Sequence, residues 1–363
     1  MLYAVIMAGG AGTRFWPASR TLLPKQLLEF VGGRTMIQAT VDRIAELVPP
    51  ERTLVVTNQQ LIAPIAAQLP QLPAGGILGE PCKRDTAPCI GLAAALIART
   101  DPDATMVVMP SDHVIQPVED FHRAIRSAAQ LVVEQPRRIV TFGIRPTYPA
   151  ESFGYIERGE PLAGTAANTK SPPAFRVNRF REKPNAATAR EYLATGNFYW
   201  NSGIFVWRAS TIVDALSKFE PQMSSHLQTI AAAAGSPDFA ATLLREFAAI
   251  QGKSIDYAVM EHYDDVAVIE APFQWDDVGS WQSLIRLRGT DADGNTIIGR
   301  HLGVNTSGSI VRTDENHLVV TLGLHDCIVV HTPDATLVAN KHDEEAIRKV
   351  VELLKERGWI EYL

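Results

Sequence analysis

Three absences limit what this chain can be. Its only cysteines, Cys82, Cys89 and Cys327, form no C-x-x-C pair, which argues against a disulfide framework and against a structural zinc site. No apolar run approaches the ~20 residues that a membrane-spanning helix needs. No basic segment precedes the short apolar run at the N-terminus, as a signal peptide would require. These absences predict a protein of the reducing cytoplasm without a membrane partner.

An excess of positive charge is also lacking. Lys and Arg total 34 against 40 Asp and Glu, and the formal net charge of −6 argues against nucleic acid as a partner. Hydrophobic residues make up 46% of the 363 positions, which is ample for a core, and this length predicts about two domains. The basic residues therefore matter where they cluster.

Glycine and positive charge are concentrated near the N-terminus. Residues 2–7 form an apolar run long enough for one buried strand, and a glycine loop follows it. Without a β-carbon, the loop's backbone N–H groups can converge on an anion. The P-loop and dinucleotide patterns are both absent. The segment predicts a polyphosphate cradle made of Ala8, Gly9, Gly10, Gly12 and Thr13, with Arg14, Arg20 and Lys25 as its cations.

Apolar periodicity divides the rest of the chain. Strand and helix patterns alternate through the first 145 residues, which predicts an α/β domain with a mostly parallel sheet and helices on both faces. Ligands of such sheets bind at the carboxyl ends of strands. Residues 148–207 change to strand patterns around a polar loop at 159–173, which we interpret as an insertion forming one wall of a pocket.

A different pattern begins after residue 290. Short apolar runs centred on Ile310, Val319, Ile328 and Leu337 recur at regular spacing and are separated by turns. Regular short strands of this kind predict a small β-domain or solenoid, here over residues 291–363 with a terminal helix. The catalytic region would then span residues 1–290.

The glycine segment resembles a known signature. Residues 8–26 fit the pattern G-G-x-G-T-R-x-x-P-x-[ST] followed by P-K of the sugar-1-phosphate nucleotidyltransferases. The form F-W-P-A-S-R with P-K-Q is most similar to the mannose-1-phosphate guanylyltransferases. Further motifs follow in family order to about residue 285. The resemblance implies a Rossmann-like nucleotide-diphospho-sugar transferase domain followed by a short left-handed β-helix.

Two aspartates are candidates for a magnesium site. Asp112 comes directly after the apolar run that ends at Met109, and Ser111 beside it is a candidate for nucleotide binding. Mg²⁺ on a nucleotide takes one or two carboxylates, with phosphates and water completing the shell. The family pattern before V-G-S-W places the second ligand at Asp277. Asp276 is left either to share the metal or to cap the following helix.

The resemblance also implies a nucleotide-base loop at residues 80–88. Glu80 offers a carboxylate that can accept from N1–H and N2–H₂ of guanine. Asp85 stands where the family more often has Asn. Asp85 and Thr86 either contact the nucleotide or cap the helix that follows.

Three later motifs resemble those for the sugar phosphate. They are F-G-Y-I, R-E-K-P and W-N-S-G-I-F. Glu182 and Asn201 would bond sugar hydroxyls, Lys183 would meet the 1-phosphate, and Gly154 beside Tyr155 would allow close backbone approach.

Together these motifs imply transfer of GMP from GTP to α-D-mannose 1-phosphate, giving GDP-mannose and pyrophosphate. Arg14 and Lys25 would be the catalytic cations and Mg²⁺ the cofactor, and the family comparison suggests a homodimer. Two alternatives stay open at this point. One is a sister enzyme that uses another sugar 1-phosphate or nucleotide, and the other is a catalytically silent sensor of nucleotide sugars.

Overall fold

The computed structural model describes residues 1–10, 12–162 and 171–363. Part of the polar loop predicted at 159–173, residues 163–170, therefore lies outside the described residues. The chain forms two compact units. The first comprises Met1–Gly9, Val41–Ser111 and Ile115–Trp275, and the second comprises Gly10–Thr40, Asp112–Val114 and Asp276–Leu363.

Helices and strands alternate along most of the chain. The helices are α1 (Met36–Ile44), α2 (Ile62–Gln68), α3 (Thr86–Thr100), α4 (Val118–Glu134), α5 (Ala186–Thr195), α6 (Ala209–Phe219), α7 (Pro221–Ala233), α8 (Phe239–Ala249), α9 (Ser283–Arg288) and α10 (Ile347–Glu356). The strands are β1 (Leu2–Ala8), β2 (Glu29–Val31), β3 (Arg34–Thr35), β4 (Thr53–Asn58), β5 (Ile77–Glu80), β6 (Thr105–Pro110), β7 (Val114–Gln116), β8 (Ile139–Ile144), β9 (Tyr155–Pro161), β10 (Ala174–Arg181), β11 (Phe198–Arg208), β12 (Val266–Glu270), β13 (Gln274–Asp276), β14 (Thr296–Ile298), β15 (His301–Val304), β16 (Ile310–Arg312), β17 (Val319–Leu322), β18 (Cys327–His331) and β19 (Thr336–Asn340).

A nine-stranded sheet organises the first unit. Its strand order is β5-β4-β1-β6-β11-β8-β12-β10-β9. The four strands from β5 to β6 are mutually parallel, and β12 runs parallel to β8. Because β1 and β6 are parallel neighbours, the glycine loop and the segment at Ser111 leave from the same edge of the sheet. The Ser111 N–H donates to the carbonyl of Met7 at 2.9 Å, which fixes that exit.

Both faces of this sheet are buried. Met106 and Val108 of β6 pack into a core with α3 and α6, and the alternate residues Val107 and Met109 are at most 1% exposed. On the remaining face, Phe121 of α4 and Phe142 of β8 both contact Phe273. A strand buried on two faces needs a continuous apolar sequence, which explains why β6 does not alternate.

The prediction of a mostly parallel sheet is wrong in one respect, because the sheet is mixed. β11 runs antiparallel to both β6 and β8, and β10 runs antiparallel to β9 and β12. The segment interpreted as an insertion supplies β9, β10 and β11 to this same sheet. Periodicity shows that a segment is extended but does not reveal which strand it pairs with, because the partner is distant in sequence.

The C-terminal part of the second unit is a stack of short strands. β14, β16 and β18 are parallel and form one sheet with β19, while β15 and β17 pair in a second parallel sheet. Each of the four predicted apolar runs is a strand. Ile310, Ile328 and Leu337 are buried in one sheet, whereas Val319 begins a strand of the other.

An aromatic cluster anchors the signature segment within the second unit. Phe15 lies 4.9 Å from Phe30 and 5.0 Å from Trp281 between ring centroids, and each of the three side chains is at most 1% exposed. The Trp16 indole N–H donates to the carbonyl of Tyr362 at 2.8 Å. The F-W of the signature is therefore packing that fixes the loop. In the described part of the chain, no helix has the length and apolar character to cross a membrane.

Candidate active site

The glycine loop is packed against Lys25. Gly12 has φ of +62°, and a β-carbon there would lie 2.5 Å from Cβ and 2.9 Å from the backbone nitrogen of Lys25. Only glycine satisfies both the left-handed backbone and this close approach. The Ser19 hydroxyl donates to the Gly12 carbonyl at 2.7 Å and holds the turn from its other side. The loop and the lysine are thus placed as one piece.

Lys25 joins the two aspartates predicted as metal ligands. Its Nζ donates to Asp112 Oδ2 at 2.8 Å and to the backbone carbonyl of Asp277 at 2.6 Å. The Lys25 side chain is only 7% exposed and that of Asp112 is 29% exposed. Burial by itself would raise the pKa of Asp112, but the Lys25 ammonium and His113 outweigh it and lower that pKa. Three segments distant in sequence meet at one ammonium group.

The two adjacent aspartates before V-G-S-W have different surroundings. Asp276 accepts from the Val278 N–H at 2.7 Å and pairs through both oxygens with Arg286. The Asp277 carboxylate receives no hydrogen bond from the described residues. Burial raises the pKa of Asp277, with smaller contributions from the negative charges of Asp276 and Asp112. Asp276 is thus committed to local structure, whereas Asp277 retains free oxygens.

These residues fit a divalent cation that brings other ligands with it. Carboxylate oxygens are the donors that Mg²⁺ prefers, and a nucleotide-bound Mg²⁺ needs only one or two of them. Within the described ranges, no group of three or more His, Cys, Asp or Glu side chains is arranged to hold a metal. The raised pKa of Asp277 indicates unbalanced negative charge, which a cation would relieve.

The arginines of the loop already have partners within the second unit. Arg14 pairs with Glu345 at 3.0 Å and donates to the Gly279 carbonyl at 3.2 Å. Arg20 pairs with Asp334 at 2.9 Å and lies over the Trp16 ring. Both acids belong to the C-terminal strands and the turn after them. The expectation that Arg20 serves the phosphate cradle therefore competes with a structural pairing.

Glu80 stands beside Gly9 in the first unit. It ends β5 and is only 7% exposed, and a β-carbon on Gly9 would lie 3.6 Å from its Oε2. Its Oε1 is buried without a hydrogen-bond partner among the described residues. Burial raises the pKa of Glu80 to about 7, against a smaller lowering by the Cys89 thiol. An unpaired buried carboxylate costs free energy, which indicates a ligand that would satisfy it.

The loop after Glu80 has mainly structural bonds. Asp85 is exposed, has φ of +68° and caps α3 by accepting from the Thr86 N–H at 2.8 Å. The Thr86 hydroxyl accepts from the Ile255 N–H at 2.8 Å. Ala8 is buried, and its carbonyl accepts from Thr57. Of the two alternatives for Asp85 and Thr86, capping is what the geometry shows.

The predicted sugar-phosphate residues of the first unit lie together. A β-carbon on Gly154 would be 2.5 Å from Glu182 Oε2 and 3.4 Å from Asn201 Cβ. Lys183 Nζ pairs with Glu182 Oε1 at 2.8 Å. Tyr155 is 0% exposed and packs in a core with Trp200, so its side chain cannot reach a ligand and only its backbone can.

Sequence reasoning missed one member of this group. Asp256 accepts from Asn201 Nδ2 at 3.0 Å. Its pKa is raised to about 7, chiefly by burial and then by the charge of Glu182. The signal that could have revealed it was a lone aspartate between Ile255 and Tyr257, at the start of a π-helical turn (Asp256–Met260). Such turns occur often at functional sites.

Comparisons with known proteins agree with this geometry. Residues 3–294 match the nucleotidyl transferase family, and residues 299–354 match a MannoseP isomerase/GMP-like beta-helix domain. A mannose-1-phosphate guanylyltransferase of Escherichia coli K12 is 40% identical over 98% of this chain and 74% of that protein. A protein of the same name from Klebsiella pneumoniae is 39% identical over 100% of this chain and 76% of its own length.

A solved structure is similar along almost the whole chain. It is a mannose-1-phosphate geranyltransferase, as its description has it, from Thermus thermophilus, with a TM-score of 0.86 and 33% identity. The match covers 98% of this chain and 99% of that one. The chain belongs to the nucleotidyl transferase family and, within it, to the mannose-1-phosphate guanylyltransferases. It is accordingly an enzyme of the nucleotidyltransferase class.

Removing the Lys25 ammonium should destabilise the second unit. Lys25→Met leaves the partly buried Asp112 carboxylate without its cation, and we expect a loss of about 1–3 kcal/mol in the free energy of unfolding. Adding Asp112→Asn removes that charge, so the double variant should regain most of the loss. Urea unfolding of the wild type, both single variants and the double variant measures this. Equal losses in Lys25→Met and in the double variant would contradict the electrostatic explanation.

Proposed function

We propose that this enzyme transfers GMP from GTP to α-D-mannose 1-phosphate, giving GDP-mannose and pyrophosphate. The observation that carries the proposal is the Lys25 ammonium between Asp112 and Asp277, in a chain about 40% identical to proteins named for this activity. A buried ammonium beside an unpaired carboxylate suits the binding of a polyphosphate, which brings negative charge and a cation together.

The reaction needs positioning more than acid–base chemistry. A phosphate oxygen of mannose 1-phosphate attacks the α-phosphorus of GTP in line, a new P–O bond forms, and the bond to the β-phosphate oxygen breaks. Pyrophosphate leaves with that electron pair. The attacking and leaving groups are already ionised, so charge neutralisation and alignment supply the rate enhancement. No covalent enzyme intermediate is required.

We assign the phosphate groups to the second unit's cations and backbone. Lys25 has three N–H donors and spends two on Asp112 and the Asp277 carbonyl, which leaves the third for an α-phosphate oxygen. Arg14 and the N–H groups of Gly9, Gly10, Gly12 and Thr13 would hold the β- and γ-phosphates. Asp112 and Asp277 would hold Mg²⁺, which when bound neutralises phosphate charge.

We assign the guanine base to Glu80. Its carboxylate can accept from N1–H and N2–H₂ together, and adenine and the pyrimidines lack this pair of donors. The buried, unpartnered Oε1 supports the assignment, because guanine would satisfy it. Ser111, Asp85 and Thr86 would contribute backbone and capping around the nucleotide. The sugar phosphate would bind at Gly154, the Tyr155 backbone, Glu182, Lys183 and Asn201.

Pyrophosphate release tests the activity. The purified chain with Mg²⁺ is assayed with GTP, ATP, UTP, CTP and dTTP, each against mannose, glucose and manno-heptose 1-phosphates. We expect turnover confined to GTP with mannose 1-phosphate. The Lys25→Met/Asp112→Asn variant is the matched control and should be at least ~10²-fold slower.

The alternatives predict other outcomes in the same assay. Turnover with another sugar or nucleotide would identify a sister enzyme with the same mechanism. No turnover with any pair, together with tight binding of GDP-mannose, would identify a sensor and overturn the proposed activity.

Glu80 gives a sharper test of base recognition. Glu80→Gln replaces one acceptor by a donor, so kcat/KM for GTP should fall about tenfold or more, and the preference for GTP over ITP should be lost. ITP lacks the 2-amino group that a carboxylate would recognise. The exposed Glu51→Gln is the matched control.

The pH dependence of nucleotide binding adds a second reading. With a pKa raised to about 7, Glu80 is protonated as the pH falls below 7 and loses an acceptor. GTP binding to the wild type should therefore weaken in that range more than binding to Glu80→Gln. A GTP:ITP ratio unchanged in Glu80→Gln would remove Glu80 from base recognition.

We infer a homodimer through the C-terminal strands, which we take to be a left-handed β-helix following a catalytic region of residues 1–290. An exposed apolar stripe on β15 and β17 supports this, with Leu302 beside Val320 and Val304 beside Leu322. These four side chains are 44–75% exposed. Three unpaired cysteines support a cytoplasmic location.

The stripe predicts how the dimer can be broken. Leu322→Asp should shift the chain from dimer to monomer at micromolar concentration, because the apolar stripe would have to bury a charge. Sedimentation velocity measures the change, and Val133→Asp, at an exposed position of α4, is the control. A monomeric wild type would contradict the inference.

A further inference from the structure

Asn201 is held rigidly by three hydrogen bonds. Its Oδ1 accepts from the Gly203 N–H at 3.1 Å and from the Thr141 hydroxyl at 3.2 Å. Its Nδ2 donates to Asp256 Oδ1 at 3.0 Å. Because a backbone N–H can only donate, the first contact fixes which side of the amide is oxygen. The amide nitrogen is thereby directed to Asp256.

Asp256 is itself fixed by the segment before it. Lys253 N–H donates to the Arg84 carbonyl at 3.2 Å, and Ala87 N–H donates to the Lys253 carbonyl at 3.0 Å. Ile255 N–H donates to the Thr86 hydroxyl at 2.8 Å. The chain leading to Asp256 is therefore bound along the loop that follows Glu80. Asp256 then begins a π-helical turn, which gives its carboxylate a set direction.

The charges around Asp256 belong to the sugar-phosphate group. Glu182 raises its pKa after the larger effect of burial, Lys183 lowers it, and Asp85 adds a small further increase. Lys183 has a raised pKa because the bond and charge of Glu182 outweigh the opposing effect of burial. One ammonium thus serves two nearby carboxylates. Such an excess of acceptors suits a ligand rich in hydroxyl donors.

We propose that Asp256 is a positioning residue of the sugar site, which fixes the Asn201 amide so that its second Nδ2–H faces a hydroxyl of the hexose 1-phosphate. This rests on the proposed function of the same site. Asn201 would touch the sugar, and Asp256 would act through it. A wrongly turned amide would present an oxygen where a donor is needed and would leave Asp256 unsatisfied.

The test is a double-mutant cycle on the sugar substrate. Asp256→Ala removes the acceptor, so the KM for mannose 1-phosphate should rise about tenfold or more while the KM for GTP stays within about twofold. Asp256→Asn keeps a carbonyl acceptor for Asn201 Nδ2 and should stay within about threefold of the wild type. Asp256→Ala/Asn201→Ala should be no worse than Asn201→Ala alone, because both changes remove the same contact.

Several results would overturn the proposal. Additive effects in the cycle, equal increases in both KM values, or no rescue by Asp256→Asn would each show that Asp256 does not act through Asn201. If thermal unfolding shows that Asp256→Ala does not fold, Asp256→Ser replaces it, since its hydroxyl is too short to reach Asn201.

The same cycle separates this proposal from the proposed function. If the wild type prefers another sugar 1-phosphate, the cycle is run with that substrate, and only the sugar assignment falls. Calorimetric binding of GDP-mannose gives a readout that needs no turnover. A wild type that neither reacts with any substrate pair nor binds GDP-mannose would overturn both proposals, whereas an active wild type with an additive cycle would overturn only this one.

Discussion

The hydrogen bonds of one buried ammonium organise the candidate phosphate site. Lys25 Nζ joins the carboxylate of Asp112 to the backbone carbonyl of Asp277, and its backbone packs against Gly12. Three segments far apart in sequence are thus held at fixed distances in the second unit. Without this cation, the two aspartates would repel each other and the glycine turn would lose its support. The signature residues around it, Phe15 above all, serve to keep that arrangement in place by packing on Trp281.

The candidate site residues carry a cost in stability that structural residues do not. Burial raises the pKa of Glu80 and of Asp256 to about 7, and it also raises that of Asp277. Each of these carboxylates is held where its charged form is unfavourable, and an apolar or amide side chain would be tolerated more easily. Perturbed carboxylates of this kind concentrate at functional sites, where a ligand balances them. By contrast, Asp276 is fully used by Arg286 and the Val278 N–H.

Much of the candidate site follows from local chemistry that a sequence displays. The glycines, Lys25, Asp112 and Asp277 belong to motifs whose spacing is long and specific, and the structure brings Lys25, Asp112 and Asp277 together. Motifs do not show how side chains are shared, however. Arg20 has the same charge as Lys25 and lies in the same segment, yet it pairs with Asp334. Tyr155 stands in a binding motif, yet its ring is buried in a core. Asp256 belongs to no recognised motif because its role depends on Asn201, a residue distant in sequence.

The sequence by itself determined the alternation of strands and helices, the glycine turn before a buried lysine, and the short strands after residue 290. All of these depend on local periodicity or on the steric freedom of single residues. Only the tertiary structure decided that β11 enters the sheet antiparallel between β6 and β8, which ammonium meets which carboxylate, and which acids stay unpaired. Those outcomes depend on contacts between distant segments and on burial. The energy of a charge is set by what surrounds it in space, and a linear pattern of residues does not contain that information.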